Sequence, residues 1–497
     1  MKKSFILLLI LFFAATGGMV TVNTLLLEEK DAVEITETVL YGDKSIVEGV
    51  TIERNVKYAD NIHWDTTYVV GEQPKCETAY TFSAEGDLED GTRQYAGVEF
   101  YTGNTRNFDE IENQEELMGL EIAYRELLAE TEPGETKSKV VSLADYQEYY
   151  TFDIDLDLAG DFRYFQLSER EIRNSLKIES LNAKYRESLE QQLTIVEAFH
   201  EAFKIPVIKN HIYVISLEKD LEGRLYSWGY SSVRGGGSTN GLDVVHDIPE
   251  NADDFHFTMV SAMTEDTCYF TFNTRTSEGD IVDTSEMPQG YGIYMFHYDS
   301  AKEQIDVERL KRVYALEPSE YVVWLHLDEQ KENLLLFSEE GNECILTVID
   351  LATMQEKQRL VFANENEANY PFIYEDFMVV RYTWDRFAVL SRNADGTYQV
   401  EFSADIEEED AEKFPNMYLY GNVVFDWNGE ILLMGDSLVT DEDYYYNENC
   451  GFYLAAFDET GLLYYGEYEN SLNTGIEYDD YYFNCIPRAE EPLIISW

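Results

Sequence analysis

The sequence is poor in basic residues and in proline, and each shortage argues against a class of protein. Lys and Arg number 36 against 97 Asp and Glu, so the 497-residue chain carries a formal charge of −61. A negative field of that size repels phosphate backbones and anionic lipid headgroups, so we expect no nucleic-acid partner and no peripheral membrane binding. Proline accounts for only 10 residues, which excludes a proline-rich linker protein.

Cysteine is also scarce, and its few positions are widely spaced. The five cysteines are Cys76, Cys268, Cys344, Cys450 and Cys485. No two of them have C-x-x-C spacing, which excludes a zinc knuckle and a thioredoxin-like redox motif. Two alternatives stay open. The cysteines are buried thiols that pack as small apolar side chains, or one disulfide joins Cys450 to Cys485.

No complete catalytic or nucleotide-binding motif is present. The chain lacks G-x-S-x-G, so a nucleophile elbow has no support. His200 begins a motif like that of zinc proteases, but Lys204 stands where the second histidine ligand is needed. The glycine-rich segment 234–241 lacks the Lys-Ser/Thr pair of a phosphate-binding loop, so we expect a flexible surface loop between strands.

The aspartates within residues 152–160 only superficially match a calcium-binding loop. Counted from Asp153, the sixth and twelfth positions hold Leu158 and Tyr164, where the loop requires glycine and a bidentate acid. Apolar and acidic residues alternate strictly in this segment. We therefore expect a strand with its apolar side chains on one face and its aspartates in water.

The nearest approach to a polar cluster is formed by Asp254-Phe255-His256 and His246-Asp247. The other histidines are scattered, and a histidine satisfied by its neighbours or exposed to solvent explains each better than a metal ligand does. We therefore assign no catalytic, cofactor-binding or metal-binding residue from the sequence, and we expect no cofactor.

Residues 1–27 are predicted to be a signal anchor or a signal peptide. An uncharged run from residue 4 to residue 27 follows two lysines. A helix of this length covers about 36 Å, enough to span a bilayer. Basic residues before the run and acidic residues directly after it place the N-terminus in the cytoplasm and the rest outside. The alternative is secretion after cleavage at Ala15-Thr16-Gly17.

The remaining chain is rich in aromatic residues, which make up 14% of the sequence and exclude disorder of the whole chain. Within residues 28–206, alternating strands are followed by two segments whose apolar residues recur every three or four positions. This spacing predicts amphipathic helices over about residues 117–128 and 185–203. Pro133-Gly134 and Pro206 would end them.

Residues 207–497 are predicted to be a propeller-like β domain, because short aromatic and β-branched runs alternate there with turns. One hairpin element recurs, in which an apolar residue ends a strand and an aspartate opens the turn. It is found at Tyr298-Asp299, Ile349-Asp350, Phe425-Asp426 and Phe457-Asp458, with a looser copy at residues 391–396. The 51 residues from Asp299 to Asp350, and the 45 from there to Asp395, fit the repeat length of propeller blades.

We therefore predict a mainly β fold: a β-propeller-like domain of about five to seven blades with a small helical insert near residues 110–205 and the N-terminal transmembrane or signal helix. The strands between residues 28 and 206 would add a blade or close the ring. A multi-sandwich β protein is the alternative. The arrangement resembles extracytoplasmic propeller-like domains on N-terminal bacterial anchors, over about residues 207–497. It lacks the repeated Gly-His and Trp-Asp pairs and the kelch glycine pairs, so the resemblance implies no functional residue.

The functional hypothesis is a membrane-anchored extracytoplasmic binding or sensor module, since no complete catalytic motif favours an enzyme. Its ligand would be a peptide, protein or glycan held at a loop face. Acidic, tyrosine-rich loops at residues 405–412, 440–447 and 477–482 are candidates for that face. One alternative is an extracytoplasmic hydrolase or lyase acting on cell-surface glycans on a propeller scaffold. Another is a passive acidic surface layer.

Overall fold

The computed structural model describes most of the chain after the N-terminal segment. The described residues are 33–58, 62–80, 97–102, 119–158, 163–239, 242, 248–364, 370–383, 385–406, 414, 417, 423–438, 450–472, 488–489 and 492–497. The predicted anchor at residues 1–27 therefore lies outside them, as do Cys485, the pair His246-Asp247 and nearly all of the three acidic loops. Within these ranges, no helix is both long and apolar enough to cross a membrane.

Three α-helices and two short 3₁₀ turns occur in the described ranges. The helices are α1 (Leu120–Glu130), α2 (Glu169–Leu176) and α3 (Ala183–Ala202), and the 3₁₀ turns are Lys44–Ile46 and Leu143–Asp145. The predictions of α1 and α3 are confirmed, whereas α2 was not predicted. Asn182 caps α3, because its side chain accepts a hydrogen bond from the backbone of Tyr185.

Strands dominate the chain, so the mainly β prediction is confirmed. Before α1 lie β1 (Ile35–Gly42), β2 (Thr51–Tyr58), β3 (Ile62–Val69), β4 (Lys75–Tyr80) and β5 (Gly97–Tyr101). Up to residue 363 follow β6 (Thr136–Ser142), β7 (Asp153–Asp157), β8 (Arg163–Leu167), β9 (Ile212–Lys219), β10 (Leu225–Ser232), β11 (Gly235–Thr239), β12 (Met259–Met263), β13 (Thr267–Phe272), β14 (Gly292–Asp299), β15 (Gln304–Ala315), β16 (Tyr321–Leu327), β17 (Asn333–Glu340), β18 (Glu343–Asp350) and β19 (Gln355–Ala363). The last are β20 (Tyr370–Ile373), β21 (Phe377–Arg381), β22 (Arg386–Arg392), β23 (Tyr398–Asp405), β24 (Val424–Trp427), β25 (Leu432–Ser437), β26 (Phe452–Asp458), β27 (Gly461–Asn470), β28 (Arg488–Ala489) and β29 (Ile494–Ser496).

The chain divides into two compact units. Unit 1 comprises residues 1–91, 370–393 and 398–497, and unit 2 comprises residues 92–369 and 394–397. In unit 1, β1 pairs with β27 in the sheet β1-β27-β26-β25-β24, so strands from near both ends of the described chain share one sheet. The other sheets of unit 1 are β20-β21-β22-β23 and β28-β2-β3-β4, with β29 also paired to β2.

Unit 2 contains three four-stranded antiparallel sheets and one of three strands. The sheets are β11-β10-β9-β6, β12-β13-β14-β15, β16-β17-β18-β19 and β5-β7-β8. Phe199 on the inner face of α3 and Phe203 directly after the helix are both buried, and they pack against Phe100 and Phe270 from two of the sheets. The amphipathic pattern of α3 is therefore explained by packing into one aromatic core.

The predicted Asp-initiated hairpins are present with one exception. The side chains of Asp299, Asp350, Asp395 and Asp458 each accept a hydrogen bond from a backbone N–H two or three residues later. At the fifth copy the prediction was wrong about Asp426. There Asn428 makes the turn, by accepting from the backbone of Glu430 and Ile431, while Asp426 accepts from Trp497.

Two segments that were weighed as ligand loops are strands. In β7, Ile154 and Leu156 are buried, as the alternation predicted, whereas the three aspartates are half-buried rather than fully in water. The glycine-rich segment was expected to be a flexible loop, and that expectation was wrong, because residues 235–239 form β11 against β10. A Cβ atom at Gly236 would lie 2.5 Å from the carbonyl oxygen of Tyr230, so glycine permits this close pairing.

Candidate functional site

A cavity of about 510 Å³ in unit 2 lies between β5 and the segment that leads into β12. We call it the Thr102 cavity. Its described lining is Glu99, Phe100, Tyr101, Thr102, His256, Phe257, Thr258 and Met259. Strand alternation explains half of this wall: in β5, Val98 and Phe100 are buried in the core, whereas Glu99 and Tyr101 are not.

The two walls of the cavity are held together beside Gly97. The backbone N–H of Val98 donates to Oγ of Ser261 in β12 at 3.1 Å. Gly97 adopts a φ of +142°, and a Cβ there would lie 2.3 Å from the Cβ of Ser261. Glycine is therefore required at this position both for its backbone conformation and for the close approach of β12.

A chain of three polar side chains runs from the cavity into the protein. Thr102 Oγ1 lies 2.8 Å from Nδ1 of His256. On the other side of the same ring, Nε2 lies 3.4 Å from Oδ2 of Asp254, which is a charge contact rather than a hydrogen bond, because Oδ2 accepts no hydrogen bond from a described residue. Thr102 and the imidazole line the cavity, and the carboxylate lies behind them with 1% of its surface exposed. Such a row of hydroxyl, imidazole and buried carboxylate is a recurrent arrangement for proton transfer.

The carboxylate of Asp254 is held ionised by its neighbours. Burial alone would raise its pKa, but the His256 ring beside it, the hydrogen bond from Ser277 and the nearby charge of Arg234 lower the pKa to about 2. The hydroxyl of Ser277 donates to Oδ1, and Nε of Arg234 lies 3.3 Å from Oδ2. Asp254 therefore has a fixed position and a fixed charge at neutral pH.

A second layer of buried polar groups lies beside Asp254. Asp253, 1% exposed, accepts from the backbone N–H groups of Asp254 and Glu278 with one oxygen. Its other oxygen has no hydrogen-bond partner among the described residues. His211 is fully buried, with its two ring nitrogens 3.0 and 3.1 Å from the hydroxyls of Tyr150 and Tyr213. Burial lowers the pKa of His211 to about 4, so this ring is neutral at neutral pH.

The open side of the Thr102 cavity carries negative charge and an aromatic ring. The hydroxyl of Tyr101 donates to Glu99, and this hydrogen bond, with partial burial, raises the pKa of Tyr101 to about 12. Among the described residues of the lining, Glu99 is the one carboxylate, and neither Lys nor Arg is present. The cavity therefore offers a carboxylate and a phenol to a ligand, whereas the rings of Phe100 and Phe257 behind them are buried in the core.

Another cavity of unit 2, of about 350 Å³, lies between the ends of β12 and β16. His326 is in its wall, stacked on Trp324, and burial lowers the pKa of this histidine to about 4. The ring of His326 contacts Trp324 and Phe337, and among the described residues no side chain is hydrogen-bonded to it as Thr102 is to His256. The Thr102 cavity is therefore the stronger candidate.

The structure brings together part of what the sequence singled out. Asp254 and His256 share the site, whereas His246-Asp247 lies outside the described residues. His200 is held between Glu169 and the carbonyl of Phe152, at 3.0 and 2.8 Å. Its role is therefore structural. No group of three or more His, Cys, Asp or Glu side chains in the described ranges is arranged to hold a metal ion.

Glu99, Tyr101 and Thr102 were missed by the sequence analysis. They belong to a short strand with an ordinary alternating pattern, and 154 residues separate Thr102 from His256. No motif or spacing in the sequence connects the two, because their proximity follows from the antiparallel approach of β5 and β12. The signal for this part of the site therefore exists only in the folded chain.

The fold and site describe a mainly β protein of repeated antiparallel sheets with a cavity in one unit. No protein family and no curated protein matches the chain. Solved structures match weakly. A putative 6-phosphogluconolactonase from Bacteroides fragilis superposes with a TM-score of 0.27 at 9% identity, over 90% of this chain and 98% of that one. The Cps50 (Swd1) β-propeller domain of Myceliophteria thermophila gives 0.22 at 11% identity, over 53% and 83%.

A protein from Lactobacillus plantarum gives a TM-score of 0.25 at 13% identity and covers 54% of this chain. The chain spans 64% of the length of that protein. Scores this far below 0.5 assign neither an activity nor a ligand to the chain.

Proposed function

We propose that the protein is an exported binding module on a propeller-like scaffold, and that the Thr102 cavity takes a positively charged side chain of a peptide or protein ligand. The scaffold proposal is supported by the repeated antiparallel sheets of four or five strands and by the pairing of β1 with β27, the kind of pairing that joins the two ends of a propeller chain. In this proposal the four- and five-stranded sheets are the blades.

The observation that carries the ligand proposal is the composition of the cavity wall. Glu99 is accompanied there by aromatic rings, and neither Lys nor Arg lies in the described lining. A ligand cation would gain the carboxylate of Glu99 and the ring of Tyr101. The net charge of −61 would also increase the rate at which basic ligands meet the protein.

The test is calorimetric titration of the full-length protein with short capped peptides that carry one Lys, Arg or Glu between glycines. We expect the Lys and Arg peptides to bind, and the Glu peptide to show no saturable heat. Glu99→Gln should weaken binding about tenfold, the effect of losing about 1.4 kcal/mol from one partly buried charge pair. Glu343→Gln, at an exposed acid of β18, is the matched control and should bind like the unaltered protein. Equal binding of all three peptides would refute the cation site.

Export rests on the sequence of residues 1–27 and needs its own test. Protease treatment of intact cells that express the native chain should degrade the β region, because that region would lie outside the membrane. Full protection of the β region, with digestion only after lysis, would contradict export. It would leave the ligand proposal standing.

The glycan hydrolase or lyase alternative needs two carboxylates, or a histidine–carboxylate pair, at an open cavity. Glu99 is the one carboxylate in the described lining, which disfavours a mechanism with two acids across a glycosidic bond. The pair of His256 and Asp254 is present, and it points to a different chemistry.

A further inference from the structure

The direction of the hydrogen bond between Thr102 and His256 can be assigned from chemistry. The negative charge of Asp254, 3.4 Å from Nε2, favours the ring tautomer whose proton lies on Nε2. Nδ1 is then a bare acceptor, and the hydroxyl of Thr102 at 2.8 Å donates to it. This is the orientation in which a histidine withdraws a proton from a hydroxyl and a carboxylate stabilises the resulting imidazolium.

We propose that Thr102 is the nucleophile of an acyl-transfer site, with His256 as its general base and Asp254 as the positioning residue. The inference rests on the proposed function only in that the cavity must admit a ligand, in this case a carboxylic ester or an activated amide. Thr102 and His256 line the cavity, so both reacting groups reach the space in which the ligand would lie.

The reaction balances without a cofactor. Oγ1 of Thr102 bonds to the carbonyl carbon of the ligand while its proton passes to Nδ1 of His256. The tetrahedral intermediate collapses, the bond to the alcohol or amine breaks, and the leaving group takes that proton. Water, deprotonated by the same nitrogen, then attacks the acyl-threonine, and release of the acid restores the hydroxyl.

The site is arranged around a rigid base. Asp254 is fixed by Ser277 and Arg234, and His256 is fixed in turn from both sides. A purely structural threonine would need only the hydroxyl contact. The buried, ionised carboxylate behind the ring is what the chemistry requires in addition.

The test is covalent labelling of the full-length protein with a fluorophosphonate probe, followed by peptide mass spectrometry. We expect one phosphonate adduct, on Thr102. Thr102→Val should abolish the adduct, Thr102→Ser should retain it, and His256→Gln should slow labelling by about 10²–10⁴-fold, the usual contribution of a general base. Thr136→Val, at an exposed position of β6, is the matched control and should label normally.

The pre-steady-state release of p-nitrophenol from p-nitrophenyl butyrate distinguishes a catalytic role of Thr102 from a purely structural one. We expect a burst equal to the protein concentration that Thr102→Val removes, while circular dichroism stays unchanged. Absence of any adduct or burst in a protein that binds the Lys peptide would overturn this inference and leave the binding proposal intact. An adduct on Thr102 in a protein that does not bind the Lys peptide would overturn the binding proposal and support this inference.

Discussion

The two units use the same hairpin element but differ in what they bury. In unit 1 the inner side chains include Tyr464 and Tyr468, whose hydroxyls bond to each other at 2.8 Å and to Glu37 of β1. In unit 2, phenylalanine and tyrosine rings pack around α3, and the buried polar groups include Asp253, Asp254 and His211. The difference teaches that the repeated strands supply the framework in both units, whereas the candidate site lies where β5 meets the segment that leads into β12.

The largest expected effect is in the aromatic core of unit 2. Phe199 is fully buried and touches Phe100, Phe203, Phe270 and Phe296. Phe199→Ala removes a ring that the surrounding rings cannot replace, so we expect the free energy of unfolding to fall by about 3–5 kcal/mol. Urea denaturation with hydrogen exchange at the amides of unit 2 measures the loss. Phe199→Leu keeps most of the volume and should cost clearly less, and equal losses for both variants would contradict this account.

Acid should weaken unit 2 through His211. Its pKa is lowered by burial to about 4 in the folded state, against about 6.5 when the chain is unfolded. The unfolded state therefore binds more protons between these values, and the stability from a neutral His211 is lost as the pH falls from 6.5 towards 4. The full loss is about 3 kcal/mol at about 1.4 kcal/mol per pKa unit.

The measurement is the urea midpoint of unit 2 between pH 4 and pH 7. His211→Gln cannot gain the charge, so its profile should be flatter over this range, although the variant is less stable at pH 7 through the lost contacts with Tyr150 and Tyr213. An unchanged slope in the variant would show that other groups cause the acid sensitivity.

In unit 1, Asp436 should make the free energy of unfolding change with pH in the opposite direction. Burial raises the pKa of this carboxyl to about 6, partly offset by the backbone N–H of Ser437 and the charge of Arg54. The folded state therefore binds the proton more tightly, and the stability that a protonated Asp436 contributes is lost as the pH rises from about 4 through 6. We expect Asp436→Asn, which cannot ionise, to stabilise unit 1 by about 3 kcal/mol at pH 7.5.

Hydrogen exchange at the amides of β25 and β26 across this pH range tests the prediction. At pH 4 the gain from Asp436→Asn should nearly vanish, because the carboxyl is then protonated in the folded protein. A gain of the same size at both pH values would assign the effect to packing rather than to ionisation.

Features of the fold that depend on residues close together in the chain could be predicted from the sequence, whereas features that join distant residues could not. The turns at Asp299 and Asp350 were predictable, because the aspartate and the backbone it bonds lie within four residues. The stripes of α1 and α3 were predictable for the same reason. Asp426 was assigned wrongly because Asn428, two residues later, competes for the same turn.

The candidate site was only half predictable. Asp254 and His256 stood out because they are neighbours in the chain. Thr102 becomes their partner only when β5 approaches β12, and that approach depends on the absence of a side chain at Gly97. The pairing of β1 with β27 could not be deduced from local pattern either, because each strand has an ordinary alternation and the register joins Ile35 to Asn470.

The hairpin turns give the smallest and sharpest comparison. In unit 1, Gly461 carries the left-handed φ of +109° between β26 and β27, whereas in unit 2 Glu303 adopts +52° between β14 and β15. An L-residue in this region strains the folded backbone by about 1–2 kcal/mol. Glycine removes that strain, but it also raises the entropy of the unfolded chain, which offsets part of the gain in stability. Glu303→Gly should therefore raise the stability of unit 2 by up to about 1 kcal/mol, measured as a shift in urea midpoint.

Gly461→Ala is the reverse experiment, and it separates backbone strain from crowding. A Cβ at this position would meet no atom within 4 Å, so if crowding alone mattered, the substitution would not lower the free energy of unfolding. The backbone account predicts a loss of about 1–2 kcal/mol, because alanine resists a positive φ whatever the space around it. If Gly461→Ala left the midpoint unchanged while Glu303→Gly lowered it, the left-handed conformation would not be what limits these turns. The side chain of Glu303 would then stabilise its hairpin through contacts stronger than the strain it causes.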